Sequence, residues 1–262
     1  MSNQRISTET KSMSSKIKVV FFDVDDTIYD HSFHIHSGIT FLRDQYPFLQ
    51  AYTVEFLKEL SHNLLEEAHA RLIKGEISLG EARRLRWQKF LEYFKQDINY
   101  DPVEFSSSYL KRYYESERLI PGTKELLTSL QADFHLGIIS NNLLSEQLGK
   151  LQRLGVSSHF DYFAISEEVG AAKPDRKIFE IALEKAKVQA EEAIYMGDVW
   201  DIDIIGALNA GIRPIWLNRK GLASRNTSVA EISSFEPIEN VLYHIRNESA
   251  TPHITKVEPA SA

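Results

Sequence analysis

The hydrophobic pattern changes period along the chain, and the change divides it. Val19-Val20-Phe21-Phe22 is an unbroken apolar run, which predicts a strand buried on both faces, as in a parallel sheet. From there to about Leu119 the apolar positions recur every three or four residues. A first helix over Phe33 to Tyr46 ends at Pro47. Val54, Leu57, Leu60, Leu64, Ala68 and Leu72 line one face of a second. Ser78 and Glu81 form a capping box that opens a third, with Ala82, Leu85, Phe90, Leu91 and Phe94 inward. Asp101-Pro102 gives an N-cap and first-turn proline for a fourth. No strand pattern interrupts this block, so it reads as an all-helical insertion.

After Pro121-Gly122 helix and strand alternate. Helices are expected near Thr123 to Gln131, Leu143 to Leu154, Asp175 to Lys187 and Ile202 to Ala210. Strands are expected at Phe134 to Ser140, Ala193 to Met196 and Arg213 to Leu217, with a further segment at Phe160 to Ser166. Residues Glu231 to Ile245 read as one more helix. Such alternation builds βαβ units with right-handed crossovers and a parallel sheet. The expected organisation is a mobile leader (residues 1–16), a doubly wound α/β core (17–29 and 119–246), a helical cap (30–118) and a flexible tail (247–262).

Composition narrows the function. A formal charge of -7 argues against a general nucleic-acid binder, because phosphate backbones attract basic surfaces. With no cysteine there is no disulfide framework, thiol nucleophile or thiolate metal site. No apolar run approaches a membrane span, and the polar leader lacks a signal peptide's apolar centre. The expected location is the cytoplasm. Monomer and homodimer fit the sequence equally well.

The chemistry gathers at strand ends. The first strand runs into Asp23-Val24-Asp25-Asp26-Thr27, and the second into Ser140-Asn141-Asn142. Lys173-Pro174 follows the third, and Gly197-Asp198 ends the fourth, with Asp201 and Asp203 just beyond. In an open α/β sheet these ends share one edge, where ligands collect. Crowded carboxylates raise one another's pKa unless they share protons, spread into water or hold a hard cation such as Mg²⁺. Together the groups suit phosphoryl transfer. A carboxylate nucleophile forms an acyl-phosphate, a second carboxylate moves protons, and lysine with hydroxyl or amide donors holds the phosphate oxygens.

Asp-x-Asp-x-Thr after an apolar strand, Ser-Asn after the next, then Lys-Pro and Gly-Asp-x-x-x-x-Asp resemble the four motifs of the haloacid-dehalogenase-like hydrolase superfamily. The insertion resembles its helical-cap subclass. The resemblance covers Lys18 to about Leu217. It implies that Asp23 is the nucleophile and a metal ligand, and that Asp25 is the general acid/base whose backbone carbonyl also binds Mg²⁺. Thr27 would hold the Asp25 turn and, with Ser140, Asn141 and Lys173, belong to the phosphate-binding set. Asp198 would complete the metal site and Asp203 support its shell. Asp201 reads instead as a helix N-cap, and Asp26 as a turn residue.

The implied partner is a small phosphorylated metabolite. The Gly75-Glu76-Ile77-Ser78 run, Arg86-Trp87, Lys173-Pro174 and Trp216-Leu217-Asn218 resemble nucleotidase and sugar-phosphate phosphatase branches. A nucleoside monophosphate is the first expectation and a sugar phosphate the second. Asp25 speaks against the dehalogenase branch, since an acid/base two residues on suits phosphoester hydrolysis. A phosphomutase or phosphotransferase remains the alternative; receiver-type signalling modules share the clustered acids but are far shorter and lack a lid. His31, His34 and His36 fit no standard zinc spacing. Arg83, Arg84 and Arg86 are either a solvated face or a contact for the substrate's far end, and Trp87, Phe90, Tyr93 and Phe94 read as lid core.

Overall fold

The computed structural model describes residues 17–247. The expected leader and all of the expected tail after Asn247 lie outside the described residues. In chain order the elements are β1 (Val19–Phe22), the helices α1 (His31–Gln45), α2 (Val54–Ile73), α3 (Leu79–Tyr93) and α4 (Pro102–Glu115), then α5 (Thr123–Gln131) and β2 (His135–Ser140). They continue with α6 (Leu144–Arg153), β3 (Tyr162–Ile165), the short α7 (Ser166–Val169), α8 (Arg176–Ala186) and β4 (Ala193–Gly197). A π-helical turn at Trp200–Ile204 leads into α9 (Ile205–Asn209), followed by β5 (Arg213–Leu217), β6 (Ala230–Ile232) and α10 (Ile238–Arg246).

The six strands form one parallel sheet in the order β3-β2-β1-β4-β5-β6. All four residues of β1 are wholly buried, but on opposite faces. Val20 and Phe22 join the larger apolar cluster with Leu126, Leu127 and Leu130 of α5, whereas Val19 and Phe21 join Ile178, Phe179 and Ala182 of α8. Each such side chain contributes about 1.5–3 kcal/mol by leaving water. That double burial is why the run shows no alternation.

The end of the chain differs from expectation. Glu231 to Ile245 is not one helix: Ala230–Ile232 pairs beside β5, and the helix starts only at Ile238. Ile232 and Phe235 are both buried, and Pro237, which lacks an amide hydrogen, stands at the helix entrance. Asp201 does not cap a helix; it lies inside the π-helical turn and pairs with Arg225 at 2.7 and 2.8 Å.

In the insertion α1 packs against α4 and α2 against α3. The core of this layer is aromatic: Trp87 lies 5.3 Å from both Phe90 and Phe105 and 4.8 Å from Tyr109, ring centre to ring centre. The α1 position facing Tyr109 must be glycine, because a Cβ on Gly38 would stand 2.6 Å from that ring. Trp87 and Phe90 are buried as expected, but Tyr93 is exposed. Among the described residues no helix is long and apolar enough to cross a membrane.

Candidate active site

The carboxyl ends of β1, β2 and β4 converge on one buried cation. Asp23 extends β1, its amide donating to the Met196 carbonyl at 2.9 Å. Lys173 Nζ donates to Asp23 Oδ1 at 2.6 Å, to Asp203 Oδ1 at 2.8 Å and to the Tyr195 hydroxyl oxygen at 2.9 Å. The Tyr195 hydroxyl in turn donates to Asp203 Oδ1 at 2.7 Å. Lys173 is only 6% exposed, and its position is set from β2's end. The Asn141 side chain grips the Lys173 peptide at both ends, accepting from its N–H at 2.6 Å and donating to its carbonyl at 2.8 Å. Asn141 therefore acts on the lysine rather than pointing its amide freely at an anion.

Asp203 Oδ2 accepts from the Val199 amide at 2.9 Å, which folds the loop after β4 over the site. This turn requires Gly197, since a Cβ there would meet Asp203 Cγ at 2.5 Å. Carboxylate oxygens of Asp23, Asp198 and Asp203 lie within 4.8 Å of one another. Burial pushes Asp23 up to about 7, with Asp203 and Asp25 adding repulsion against the pull of Lys173. Burial, then repulsion from Asp23 and Asp203, pushes Asp198 up to about 8. Hard oxygen donors in excess of nearby cations are what a divalent metal ion needs, so the residues fit Mg²⁺.

Asp25, two residues beyond Asp23, has the opposite surroundings. Lys150 Nζ donates to its Oδ1 at 2.6 Å and Gln147 Nε2 to its Oδ2 at 2.9 Å. Against burial, which alone would raise it, Lys150 and the nearby His31 hold Asp25 well below the usual carboxylate range. The same Gln147 amide donates to Ser140 Oγ at 2.8 Å, tying the second strand's hydroxyl to the first strand's acid. Sequence reasoning missed Lys150 and Gln147, although a signal exists. Both fall on the apolar stripe Leu143, Gln147, Lys150, Leu151, Leu154 of α6, where a polar residue must have a buried partner.

Thr27 is not brought to this cluster. Its side chain is wholly buried and its hydroxyl has no partner among the described residues, while its amide donates to the Val24 carbonyl at 3.3 Å in the turn. Asp26 occupies a left-handed position (φ 62) and accepts from the Ser32 amide and hydroxyl at 2.8 and 2.6 Å, fixing the start of α1. His31 and His34 sit at the hinge, where the chain enters and leaves the helical insertion: His31 Nδ1 lies 2.9 Å from the Tyr113 hydroxyl, and His34 Nε2 lies 3.2 Å from the Arg118 amide nitrogen and 3.3 Å from its carbonyl oxygen.

A sequence model of the haloacid dehalogenase-like hydrolases matches residues 17–211, most of the chain. The chain belongs to that family. The pyrimidine 5'-nucleotidase YjjG of Escherichia coli (strain K12) is 30% identical over 230 residues, covering 85% of this chain and 96% of the nucleotidase. A glyceraldehyde 3-phosphate phosphatase of Methanothermobacter thermautotrophicus is 31% identical over 216 residues, covering 77% and 86%. Among solved structures, the magnesium-bound HAD-hydrolase YfnB of Bacillus subtilis shares the fold, with a TM-score of 0.66 at 24% identity, covering 87% of this chain and 99% of that one.

In this haloacid dehalogenase-like hydrolase the four helices inserted after β1 roof the sheet edge. A cavity of about 260 Å³ runs between them, from Asn141 and Lys150 on the sheet side to Arg86, Trp87, Tyr109 and Tyr113 above. Arg83 of α3 reaches Glu146 of α6 at 3.2 Å across the gap. A second cavity, of about 340 Å³, opens beside Asp198 and is edged by Asn218, Arg219 and Lys220.

Proposed function

We propose that this hydrolase is a Mg²⁺-dependent phosphatase of small phosphorylated metabolites, with a nucleoside monophosphate as the first choice of substrate and a sugar phosphate as the second. The observation that carries the reading is the Lys173 ammonium bound to both Asp23 and Asp203, with Asp198 beside them at the same sheet edge. The 30% identity to a pyrimidine 5'-nucleotidase over most of the chain supports the choice of substrate.

Asp23, Asp198 and the Asp25 backbone carbonyl would hold the ion. When bound, Mg²⁺ screens the nucleophile from the negative phosphate and returns the raised acids to carboxylates. Asp23 attacks phosphorus, the ester P–O bond breaks with its electron pair, and the leaving oxygen takes a proton from Asp25. Asp25, then a carboxylate, takes a proton from water as the water oxygen attacks phosphorus and frees Asp23. Lys173, Ser140 and backbone amides steady the phosphate oxygens meanwhile.

Phosphate release from a panel of nucleoside monophosphates and sugar phosphates tests this, with Asp23→Asn as background. Release should require added Mg²⁺ and fall to background in the variant. Full activity after verified metal removal, or an Asp23→Asn protein keeping about a tenth of the rate, would sink the reading.

A further inference from the structure

Three arginines line the cavity under the roof, and they are not equivalent. Arg83 is paired with Glu146, and Arg153 holds Glu117 through two bonds of 2.7 Å. Arg86 has no carboxylate within ion-pairing distance among the described residues. It is 8% exposed, its guanidinium donates to Ser61 Oγ of α2 and lies against the Tyr109 hydroxyl, and its buried Nε has no partner among the described residues. The Trp87 and Tyr109 rings lie 4.6 and 5.2 Å from its Cζ. Ring faces attract the charge but leave the N–H unsatisfied. A permanently charged group buried without its counter-charge is costly, and a ligand that supplies the acceptor removes the cost.

We propose that Arg86 is the specificity anchor for the leaving group of the substrate, and that this group carries a planar oxygen acceptor, either a ring carbonyl or a carboxylate. The inference rests on the phosphatase reading and deepens it. Asn141, which grips the Lys173 peptide, and Lys150, which holds Asp25, border the same cavity as Arg86, so the cavity lies next to the clamp on the side where a leaving group would extend. At about 260 Å³ the space falls below the ~300–1,000 Å³ of sites for drug-sized ligands, which favours one ring or a short chain over a fused ring pair. Guanidinium is a planar fork matched to carbonyl and carboxylate geometry, which lysine cannot reproduce.

The test compares wild type, Arg86→Gln and Arg86→Lys on uridine monophosphate, 3-phosphoglycerate and phenyl phosphate, whose leaving groups offer ring carbonyls, a carboxylate and neither. Wild type should prefer one of the first two. In Arg86→Gln the kcat/KM ratio of that substrate to phenyl phosphate should drop about tenfold or more, chiefly through KM, with Arg86→Lys intermediate. Loss on uridine monophosphate assigns a ring carbonyl, and loss on 3-phosphoglycerate a carboxylate. An unchanged ratio, equal losses on all three, or a wild type preferring phenyl phosphate overturns the anchor. Should Arg86→Gln fail to fold, Arg86→Lys decides alone, and unaltered selectivity there overturns it. A wild type inactive on every phosphoester overturns the phosphatase reading, and the anchor with it; an active wild type with an unmoved ratio overturns the anchor alone.

Discussion

Lys173 at the sheet edge and Arg86 in the roof are both buried cations, yet their surroundings are unlike. Lys173 touches two carboxylates and a phenol, and its peptide is gripped by Asn141. Arg86 touches two rings and the hydroxyls of Ser61 and Tyr109, meets no carboxylate among the described residues, and keeps a buried donor unpartnered. At the sheet edge the partners come from strand ends and the loops after them, so parallel pairing fixes their positions. In the roof, side-chain packing between helices sets the shape, and no carboxylate among the described residues completes the charge. The difference separates the two tasks of a hydrolase: chemistry is held by groups that satisfy one another, and recognition by a group that waits for its partner.

Lys173→Met is the harshest way to break this comparison. It removes the cation from Asp23 and Asp203 at once, leaving two buried acids facing each other. Breaking a buried pair of this kind costs about 3–5 kcal/mol, which urea denaturation would detect, and turnover should fall to background. A stable, active Lys173→Met protein would mean that the sheet edge is as open as the roof.

A smaller effect is expected from Lys150→Met. Asp25 keeps Gln147 but loses the ammonium that aims it. Because a positioned acid/base contributes about 10²–10⁴-fold, losing part of its positioning should lower kcat about 10–100-fold with little change in KM. Steady-state kinetics on the preferred substrate would check this, and an unchanged kcat would leave Lys150 as packing for α6.

The sheet edge was largely legible in the sequence, and the roof was not. Strand ends are marked where apolar runs stop, and a parallel sheet carries every such stop to one edge, so Asp23, Ser140, Lys173, Asp198 and Asp203 could be gathered from one dimension. Tyr195 was invisible, because a tyrosine within a buried strand shows no sign of where its hydroxyl leads. The helices of the roof were readable from their periodicity, but Arg83, Arg84 and Arg86 looked alike. Their fates depend on the rotation of α3 against α2 and α4, which a three-to-four spacing does not resolve. Asp201 misled because an acid early in a helix usually caps it, whereas here the Ile205 N–H reaches the Trp200 carbonyl and closes a π-helical turn around it. The expected last helix failed at its start, since the Glu231-Ile232 pattern serves a strand as well as a helix.

The smallest effect concerns the hinge that joins the two regions. His34 of α1 is buried, its Nε2 3.2 Å from the Arg118 amide nitrogen and 3.3 Å from the Arg118 carbonyl oxygen, and its Nδ1 3.4 Å from Ser116 Oγ. Burial holds its pKa below the ordinary 6.5, against the backbone bonds at Arg118 and Ser116, which favour the proton. Above pH 6.5 both folded and unfolded chains carry a neutral ring, so the residue makes no pH-dependent contribution. As pH falls below 6.5 the unfolded chain gains a proton first, and stability drops by at most about 1.4 kcal/mol per pH unit until the folded ring titrates. Asp23 and Asp198 act in the opposite direction in metal-free protein. Their raised pKa values let the folded chain take protons first, so stability rises as pH falls from about 8. Glu117, held low despite its burial by Arg153 and Tyr29, enters only below about 4.5. His31, also held below 6.5 by burial, adds a loss of the same sign as His34, so the wild-type curve mixes terms of both signs, and the difference between wild type and His34→Gln isolates His34 together with its effect on His31. That difference should be constant above pH 6.5 and shrink steadily between pH 6.5 and 5 in urea denaturation series; a difference independent of pH would show that His34 tolerates its proton and that the hinge does not sense acid.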